Sequence, residues 1–240
     1  MSVFSTFIKK LEAPTTDMMI TASQRVGSHI QRVTLTLPQG QMKEFSIGSY
    51  IQPMVGGVVP RAYSIAETDN RSCTIIVSFS GGGVGGRFFR DARVGDVVSI
   101  YGPFDDFPYH YSTGRPKIFM ATGTGVAPFV RMVPEAMNEH RSTVLVLGVP
   151  HREDIPYASY FYDVAKKNGS IFAFVPVLSA PDAAWEGERG YVTDIWQGRE
   201  KMLLQSDVYI CGVPPMVAGA EEFLKHIGMD PSHTFIQKFG

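Results

Sequence analysis

The stretch IFMATGTGVAP, residues 118–128, decides the fold class of this sequence. It begins with a short apolar run, residues 118–121, that is typical of a buried strand. Gly123 and Gly125 follow at once, and a helix-like stretch then runs over residues 129–139. Strand, glycine turn and helix in this order are typical of the first βα unit of a nucleotide-binding sheet.

The same alternation continues to the end of the chain. Four more strand candidates follow, at residues 144–147, 171–178, 207–211 and 234–238. Helix candidates lie between them, at residues 157–167, 192–197 and 216–226. Strands that alternate with helices predict a five-stranded parallel sheet in a doubly wound α/β domain.

Residues 1–111 have a different pattern. Strand candidates with a period of two lie at residues 33–37, 74–79 and 97–101, and turn residues separate them. Short strands with turns between them predict a small antiparallel β-barrel. We therefore predict two domains, a barrel over residues 1–111 and an α/β domain over residues 112–240, with the boundary inside residues 110–116.

Composition excludes several classes of protein. A formal net charge of −1 and a pI near 6.6 leave no electrostatic footprint for nucleic acid or for an anionic membrane. No apolar run reaches the length of a membrane span, and no apolar region typical of a secretory signal follows the first charged residues. We expect a cytoplasmic protein.

The two cysteines, Cys73 and Cys211, cannot form a four-cysteine iron–sulfur or zinc site, and no CxxC occurs. A single disulfide stays open on sequence alone, but two free thiols in a cytosolic protein are the favoured interpretation. No metal site is predicted.

The stretch RAYSI, residues 61–65, is the first candidate binding motif. On a strand, Arg61 and Tyr63 share a face and Ser64 points the other way. A guanidinium can bind a diphosphate through two parallel charged hydrogen bonds, and a tyrosine ring offers a flat face for stacking. The alternative is an ordinary strand end with a surface arginine.

The second candidate is the glycine stretch SGGGVGG, residues 80–86. Glycines at this density indicate positive φ or the close approach of a ligand, and bare N–H groups before a helix can bind a pyrophosphate. The alternative is a flexible surface loop. A third candidate, CGVPPM at residues 211–216, also follows a strand and is expected near the Gly123 turn. Its cysteine could equally be a small buried apolar residue.

In order and spacing, these motifs resemble those of the ferredoxin–NADP reductase superfamily, and the match covers nearly the whole chain. Arg61 to Ser64 is similar to the RxYS flavin motif, and residues 82–86 to the GGxxS phosphate loop. Residues 123–128 are similar to GTGxAP, and residues 211–216 to CGxPxM. The resemblance implies a flavin barrel, a nicotinamide domain, bound FAD, and NADH or NADPH as co-substrate.

The resemblance also implies roles. Arg61 would bind the pyrophosphate, Tyr63 would pack against the isoalloxazine, Ser64 would hydrogen-bond near N5, Cys211 would lie near the nicotinamide C4, and Phe239 would cover the flavin. Ser64 and Cys211 are thus the predicted catalytic residues. The predicted cofactor-binding residues are Arg61, Ala62, Tyr63, Ser64, Gly82, Gly83, Val84, Gly85, Gly86, Phe239, Gly123, Thr124, Gly125, Pro128, Cys211, Gly212, Pro214 and Met216.

Some positions depart from the family pattern. The serine of the phosphate loop is Gly86 here, and the phosphate-binding Ser-Arg after the third sheet strand is Ser179-Ala180. An arginine after the second sheet strand is replaced by Pro150, with His151 and Arg152 directly behind it. Without the arginine at 180, a 2′-phosphate loses its best partner, so we expect NADH to be used at least as well as NADPH.

The resemblance implies an NAD(P)H-dependent FAD oxidoreductase that passes electrons to a separate ferredoxin, flavodoxin or oxygenase component. Two alternatives stay open. One is an NAD(P)H:flavin reductase that releases reduced flavin, and the other is a non-catalytic FAD-binding redox sensor or subunit.

Overall fold

The computed structural model describes residues 14–56, 61–111 and 113–238. The chain divides into two compact units between Pro108 and Tyr109, so these units differ from the predicted domains only in residues 109–111. Within the described ranges, no helix is long and apolar enough to cross a membrane.

The first unit is a closed six-stranded barrel, as predicted. Its strands are antiparallel and follow the order β1-β2-β5-β4-β3-β6 around the barrel. The strands are β1 (Thr16–Arg25), β2 (Ile30–Thr36), β3 (Tyr50–Pro53), β4 (Tyr63–Thr68), β5 (Ser72–Ser78) and β6 (Val97–Phe104), with helix α1 (Val84–Asp91) between β5 and β6.

The barrel closes around alternate apolar side chains. On β2 the buried side chains of Val33 and Leu35, and on β5 those of Cys73, Ile75 and Val77, belong to one core cluster. This alternation explains the fold, because burial of every second side chain is what stabilises a strand with one face on a core.

The second unit is a parallel sheet with the order β10-β9-β8-β7-β11-β12. Its elements are β7 (Lys117–Thr122), α2 (Phe129–Asn138), β8 (Thr143–Val149), α3 (Ala158–Lys167), β9 (Phe172–Leu178), β10 (Glu188–Arg189), α4 (Glu200–Leu204), β11 (Asp207–Gly212), α5 (Pro214–His226) and β12 (Thr234–Lys238). The five predicted strands are all present, and the two-residue β10 extends the sheet at one edge. The helix candidate at residues 192–197 is a short 3-10 turn, Asp194–Trp196, rather than an α-helix.

Both faces of the sheet are covered. Met120 and Ile210 belong to a core cluster on one face with Val217 and Leu224 of α5. On the other face Phe119 packs against Phe129 of α2, with ring centroids 4.9 Å apart. Apolar side chains on both faces are what a parallel sheet between two helical layers requires.

A buried ionic cluster lies at the amino ends of the central strands. The ammonium of Lys117 is 2.6 Å from Oδ2 of Asp207, and both side chains are 0% exposed. Thr113 donates to the same carboxylate oxygen at 2.5 Å, and Nδ1 of His233 lies 2.8 Å from the other oxygen. Burial pushes the pKa of Asp207 upward, but these hydrogen bonds and the lysine charge outweigh it and lower the pKa below its usual value.

Candidate functional site

The glycine stretch of the barrel unit leads into helix α1. Gly83 is the N-cap residue, and among the described residues no side chain hydrogen-bonds to this cap. Gly82 adopts φ +62°, and no atom of the residues that the structure describes lies within 4 Å of the place where its β-carbon would stand. The N–H groups of the first helical turn have no partners inside the helix and carry a partial positive charge, so this end suits an anion.

Arg61 lies at this helix terminus. A β-carbon on Gly83 would stand 3.9 Å from the Cζ and Nη2 atoms of Arg61, and the arginine is exposed. Among the described residues, the guanidinium and the first N–H groups of α1 thus converge on one open space, which is the donor set that a phosphate or diphosphate requires.

Tyr63 is the second predicted residue that the structure brings to this place. Its ring packs edge-on against Phe89 at 5.6 Å, and its hydroxyl occupies the space that a β-carbon on Gly85 would need. Burial raises the pKa of Tyr63, and the neighbouring Arg61 only partly opposes this, so the phenol is protonated at neutral pH.

Ala62 and Ser64 alternate with these residues along the chain. Ala62 is half-buried, whereas Ser64 is buried at 3% exposure and pairs with Tyr50 in the register of β3 and β4. Val84, at 36% exposure, is the first residue of helix α1 and follows Gly83 directly. The motif therefore presents Arg61 to the open space and directs Ser64 inward.

Gly86 has a different role from its neighbours. A β-carbon there would lie 2.9 Å from the carbonyl oxygen of Ser78 and 3.0 Å from Cα of Phe79. Contacts with backbone atoms at this distance leave no room for any side chain. The glycine in place of the serine of the family pattern therefore allows close packing of α1 on the end of β5.

The glycine turn of the α/β unit is a short 3-10 turn, Gly123–Val126, directly after β7. Gly123 adopts φ +52°, and Thr124 accepts a hydrogen bond from the N–H of Ala127 at 3.1 Å. Pro128 is the buried N-cap residue of α2. The turn thus closes tightly between strand and helix, as the GTGVAP sequence predicts.

Gly125 brings this turn against the carboxyl end of β11, the strand that pairs with β7, as expected for two adjacent parallel strands. A β-carbon on Gly125 would collide with the carbonyl oxygen of Cys211 and lie 2.7 Å from Cα of Gly212. A β-carbon on Gly212 would lie 2.6 Å from Cε of Met216. Pro214 follows on the surface as the first residue of α5.

Cys211 is fully buried beneath this loop. Its thiol is 3.7 Å from Oε1 of Gln237 on the adjacent strand β12. Burial raises the pKa of the thiol well above its usual value, so the sulfur is a neutral, uncharged group. This environment suits positioning and packing rather than nucleophilic chemistry. Phe239, predicted to cover the flavin, lies outside the described residues.

Residues 119–222 of the α/β unit match the family model described as the oxidoreductase NAD-binding domain. The chain is 29% identical over 215 residues to the toluate 1,2-dioxygenase electron transfer component of Pseudomonas putida, covering 86% of this chain and 63% of that protein. It is 25% identical over 245 residues to ferredoxin–NADP reductase B of Sorangium cellulosum, covering 95% of this chain and 99% of that one. These similarities support the ferredoxin–NADP reductase superfamily as the family of this chain.

A solved structure and a further relative are similar over most of the chain. The crystal structure of the Amycolatopsis cytochrome P450 reductase GcoB matches 95% of this chain and 71% of its own, with a TM-score of 0.83 and 28% identity. The reductase subunit of an Amycolatopsis aromatic O-demethylase is 32% identical over 209 residues, which is 81% of this chain and 61% of that protein. The chain therefore spans about three-fifths of the length of the toluate and demethylase relatives.

One residue between the two loops of the α/β unit was not predicted from the sequence. Thr122 ends β7, and its hydroxyl accepts a hydrogen bond from the N–H of Val213 at 3.2 Å. A β-carbon on Gly212 would also lie 3.0 Å from the Thr122 nitrogen. Thr122 thus fixes the two loops to each other. The available signal was a hydroxyl residue at the strand end directly before Gly123.

Proposed function

We propose that this protein oxidises NAD(P)H, passes the electrons through bound FAD, and delivers them to a separate electron-carrier protein. The observation that supports this most is the convergence of Arg61 with the glycine-rich start of α1 in the barrel unit. That site suits a diphosphate, and the same chain carries a tight glycine turn in a domain of the oxidoreductase NAD-binding family.

The barrel site fits FAD better than a cofactor without a diphosphate. Its donors are the Arg61 guanidinium and the first N–H groups of α1, and the half-buried ring of Tyr63 lies beside them. When bound, FAD supplies a ring that accepts two electrons from a nicotinamide and can release them one at a time. The chain itself contributes binding and orientation.

In the α/β unit the proposed binding residues are the Gly123–Val126 turn, the loop from Gly212 to Met216, and Thr122, which fixes one to the other. Because the loops are fixed at the carboxyl edge of the sheet, the nicotinamide is held in a defined place, and such positioning can supply a large part of a rate enhancement. We propose that Cys211, as a neutral buried thiol, shapes this place, and that Ser64 acts in the same way near the flavin.

A protein acceptor is proposed from the nature of the relatives. One is named an electron transfer component of toluate 1,2-dioxygenase, and another a reductase subunit of an aromatic O-demethylase. The acceptor would be a ferredoxin, a flavodoxin or an oxygenase component. We place the protein in the cytoplasm, a reducing compartment in which two free thiols, as found here, persist.

A direct assay separates this proposal from its alternatives. The FAD-loaded protein is reduced anaerobically with NADH and then offered a [2Fe–2S] ferredoxin or free FMN. Rapid reoxidation by the ferredoxin supports a carrier reductase. Reoxidation by free FMN alone would indicate a flavin reductase, and no reduction by either NADH or NADPH would indicate a redox sensor or subunit.

Arg61→Ala should weaken FAD binding about ten- to a hundredfold. The change removes a charge-assisted contact to a diphosphate, which contributes roughly 1.5–3 kcal/mol. The fold should be little affected, because the Arg61 side chain is exposed. FAD affinity is measured by fluorescence titration of the apoprotein, with the melting temperature measured alongside.

Arg90→Ala is the matched control, since Arg90 lies at the far end of α1 and pairs with Asp91 on the surface. It should bind FAD like the wild type. An Arg61→Ala protein with unchanged FAD affinity would show that the arginine is only an exposed strand end.

A further inference from the structure

His151 and Arg152 stand at the position that corresponds to the ribose-reading residue of dinucleotide-binding sheets. They follow the carboxyl end of β8, which pairs with β7, the strand that leads into the Gly123 turn. In dinucleotide-binding sheets a residue near this position reads the ribose: a carboxylate accepts from the 2′-hydroxyl of NAD, or an arginine binds the 2′-phosphate of NADP. Here a histidine and an arginine stand in its place.

Arg152 is already engaged within the protein. Its guanidinium lies 5.1 Å from the ring centroid of Trp185, and Nη2 donates to the carbonyl oxygen of Ala184 at 3.1 Å. Arg152 and Trp185 line a groove beside α3 and β9. Glu186 and Glu188 line the same groove. A guanidinium that stacks on an indole and donates to a carbonyl oxygen, in a groove also lined by two glutamates, is a poor partner for an additional phosphate dianion.

Trp185 holds this arrangement in place. Its side chain is 8% exposed, and its indole N–H donates to the carbonyl oxygen of Glu188 at 2.9 Å. A β-carbon on Gly187 would lie 2.8 Å from Cε2 of the indole, so the chain passes directly against the ring. The indole therefore cannot swing away from Arg152 without moving the backbone.

The two ring nitrogens of His151 differ: within the described residues Nδ1 has a hydrogen-bond partner, and Nε2 has none. Nδ1 lies 2.8 Å from the carbonyl oxygen of Ala180, at the end of the neighbouring strand. A carbonyl oxygen only accepts, so Nδ1 carries the proton of the neutral ring and Nε2 is an acceptor. An acceptor suits a hydroxyl, which can donate to it, and is repelled by a 2′-phosphate dianion, which has no proton to donate.

We propose that His151 Nε2 accepts a hydrogen bond from the adenosine 2′-hydroxyl and that Trp185 withholds Arg152 from a 2′-phosphate, so that NADH is the preferred co-substrate. This inference rests on the proposed function. It assigns the choice between NADH and NADPH to His151 and to the Arg152–Trp185 pair.

The test measures reduction of bound FAD with three nucleotides: NADH, NADPH and NADH that lacks the adenosine 2′-hydroxyl. In the wild type, NADH should have the highest kcat/KM, and loss of the hydroxyl should raise KM about three- to tenfold with kcat unchanged. The His151→Leu protein should show a KM for NADH that is raised by the same factor. Its KM for NADH that lacks the 2′-hydroxyl should equal that of the wild type.

His226→Leu is the matched control, because His226 is exposed on α5; its kinetics should not change. Arg152→Ala should leave the ratio of NADPH to NADH activity within about twofold, since a withheld arginine does not discriminate between the nucleotides.

Three results would overturn the inference. The first is a preference of the wild type for NADPH, and the second is a His151→Leu protein whose KM still rises as much as that of the wild type when the 2′-hydroxyl is removed. The third is a selective loss of NADPH activity in Arg152→Ala. Each of them requires FAD that is reduced, so each leaves the proposed function intact. FAD that no nucleotide reduces would overturn the proposed function, and this inference with it.

Discussion

Gly125→Ala is expected to slow the reduction of bound FAD by NADH about a hundredfold, while FAD binding in the barrel unit stays unchanged. A β-carbon at this position would collide with the Cys211 carbonyl oxygen and lie 2.7 Å from both the Cys211 carbonyl carbon and Cα of Gly212. These are backbone atoms, so one loop must move to admit the methyl group. A displacement of about 1 Å at a reacting centre can cost two orders of magnitude in rate.

The rate is measured by anaerobic rapid mixing in a single turnover, because steady-state rates can report release of product instead. Gly219→Ala is the matched control: Gly219 lies inside α5, and a β-carbon there would meet no atom of the described chain within 4 Å. This control should keep its rate and gain up to about 1 kcal/mol of stability. An unchanged rate in Gly125→Ala would show that contact between the two loops is not required for the reaction.

Asp207→Asn is expected to lower the free energy of unfolding by about 3–5 kcal/mol. The change leaves the buried ammonium of Lys117 without its counter-ion, and a single buried charge costs far more than a buried pair. It also weakens the acceptor to which Thr113 donates and beside which His233 lies. Thermal unfolding should therefore begin many degrees lower than in the wild type.

Glu221→Gln provides the comparison, since Glu221 pairs with Lys238 at 2.7 Å on the surface. Its loss should cost less than about 1 kcal/mol. The combined change Lys117→Met and Asp207→Leu should recover much of the lost stability, because an apolar pair needs no counter-ion. If Asp207→Asn lowered the free energy of unfolding as little as Glu221→Gln does, this would contradict the structural role of the buried ionic cluster.

The pH dependence of the wild type follows from the lowered pKa of Asp207. A carboxyl with a lower pKa in the folded state stabilises the fold fully above its unfolded pKa of about 3.9. This contribution is lost as the pH falls further, through the folded pKa. The stability difference between the wild type and Asp207→Asn should therefore narrow below about pH 4.

Much of the α/β unit could be predicted from sequence because its strands are buried on both faces. Such strands form unbroken apolar runs, as at residues 118–121 and 144–147, and glycine turns separate them from helices. The short β10 was missed because Glu188 and Arg189 are charged and exposed, and they pair with β9 through the backbone alone.

The barrel was predicted as a class, but three of its strands were not located. In β1 the adjacent Met18, Met19 and Ile20 hide the alternation, although only Met19, at 47% exposure, faces outward. At β3 the pairing partners come from distant parts of the chain, β4 and β6, which a local pattern does not reveal.

Prediction of the candidate site from sequence was limited in a similar way. Glycine-rich motifs indicate where a backbone approaches something, but not what it approaches. Gly83 faces Arg61 and an open space, whereas Gly86 packs against the Ser78 carbonyl. Thr122 and the Arg152–Trp185 pair depend on contacts between loops far apart in sequence, so no single stretch contains them.

The central claim is that FAD bound to this chain is reduced by a nicotinamide nucleotide. The most direct test is the absorption spectrum of the FAD-loaded protein during anaerobic addition of NADH, with the released cofactor identified afterwards. We expect the flavin bands to bleach at stoichiometric NADH and the released cofactor to be FAD. Flavin bands that persist in excess NADH and in excess NADPH, or a protein that retains only FMN, would contradict the claim.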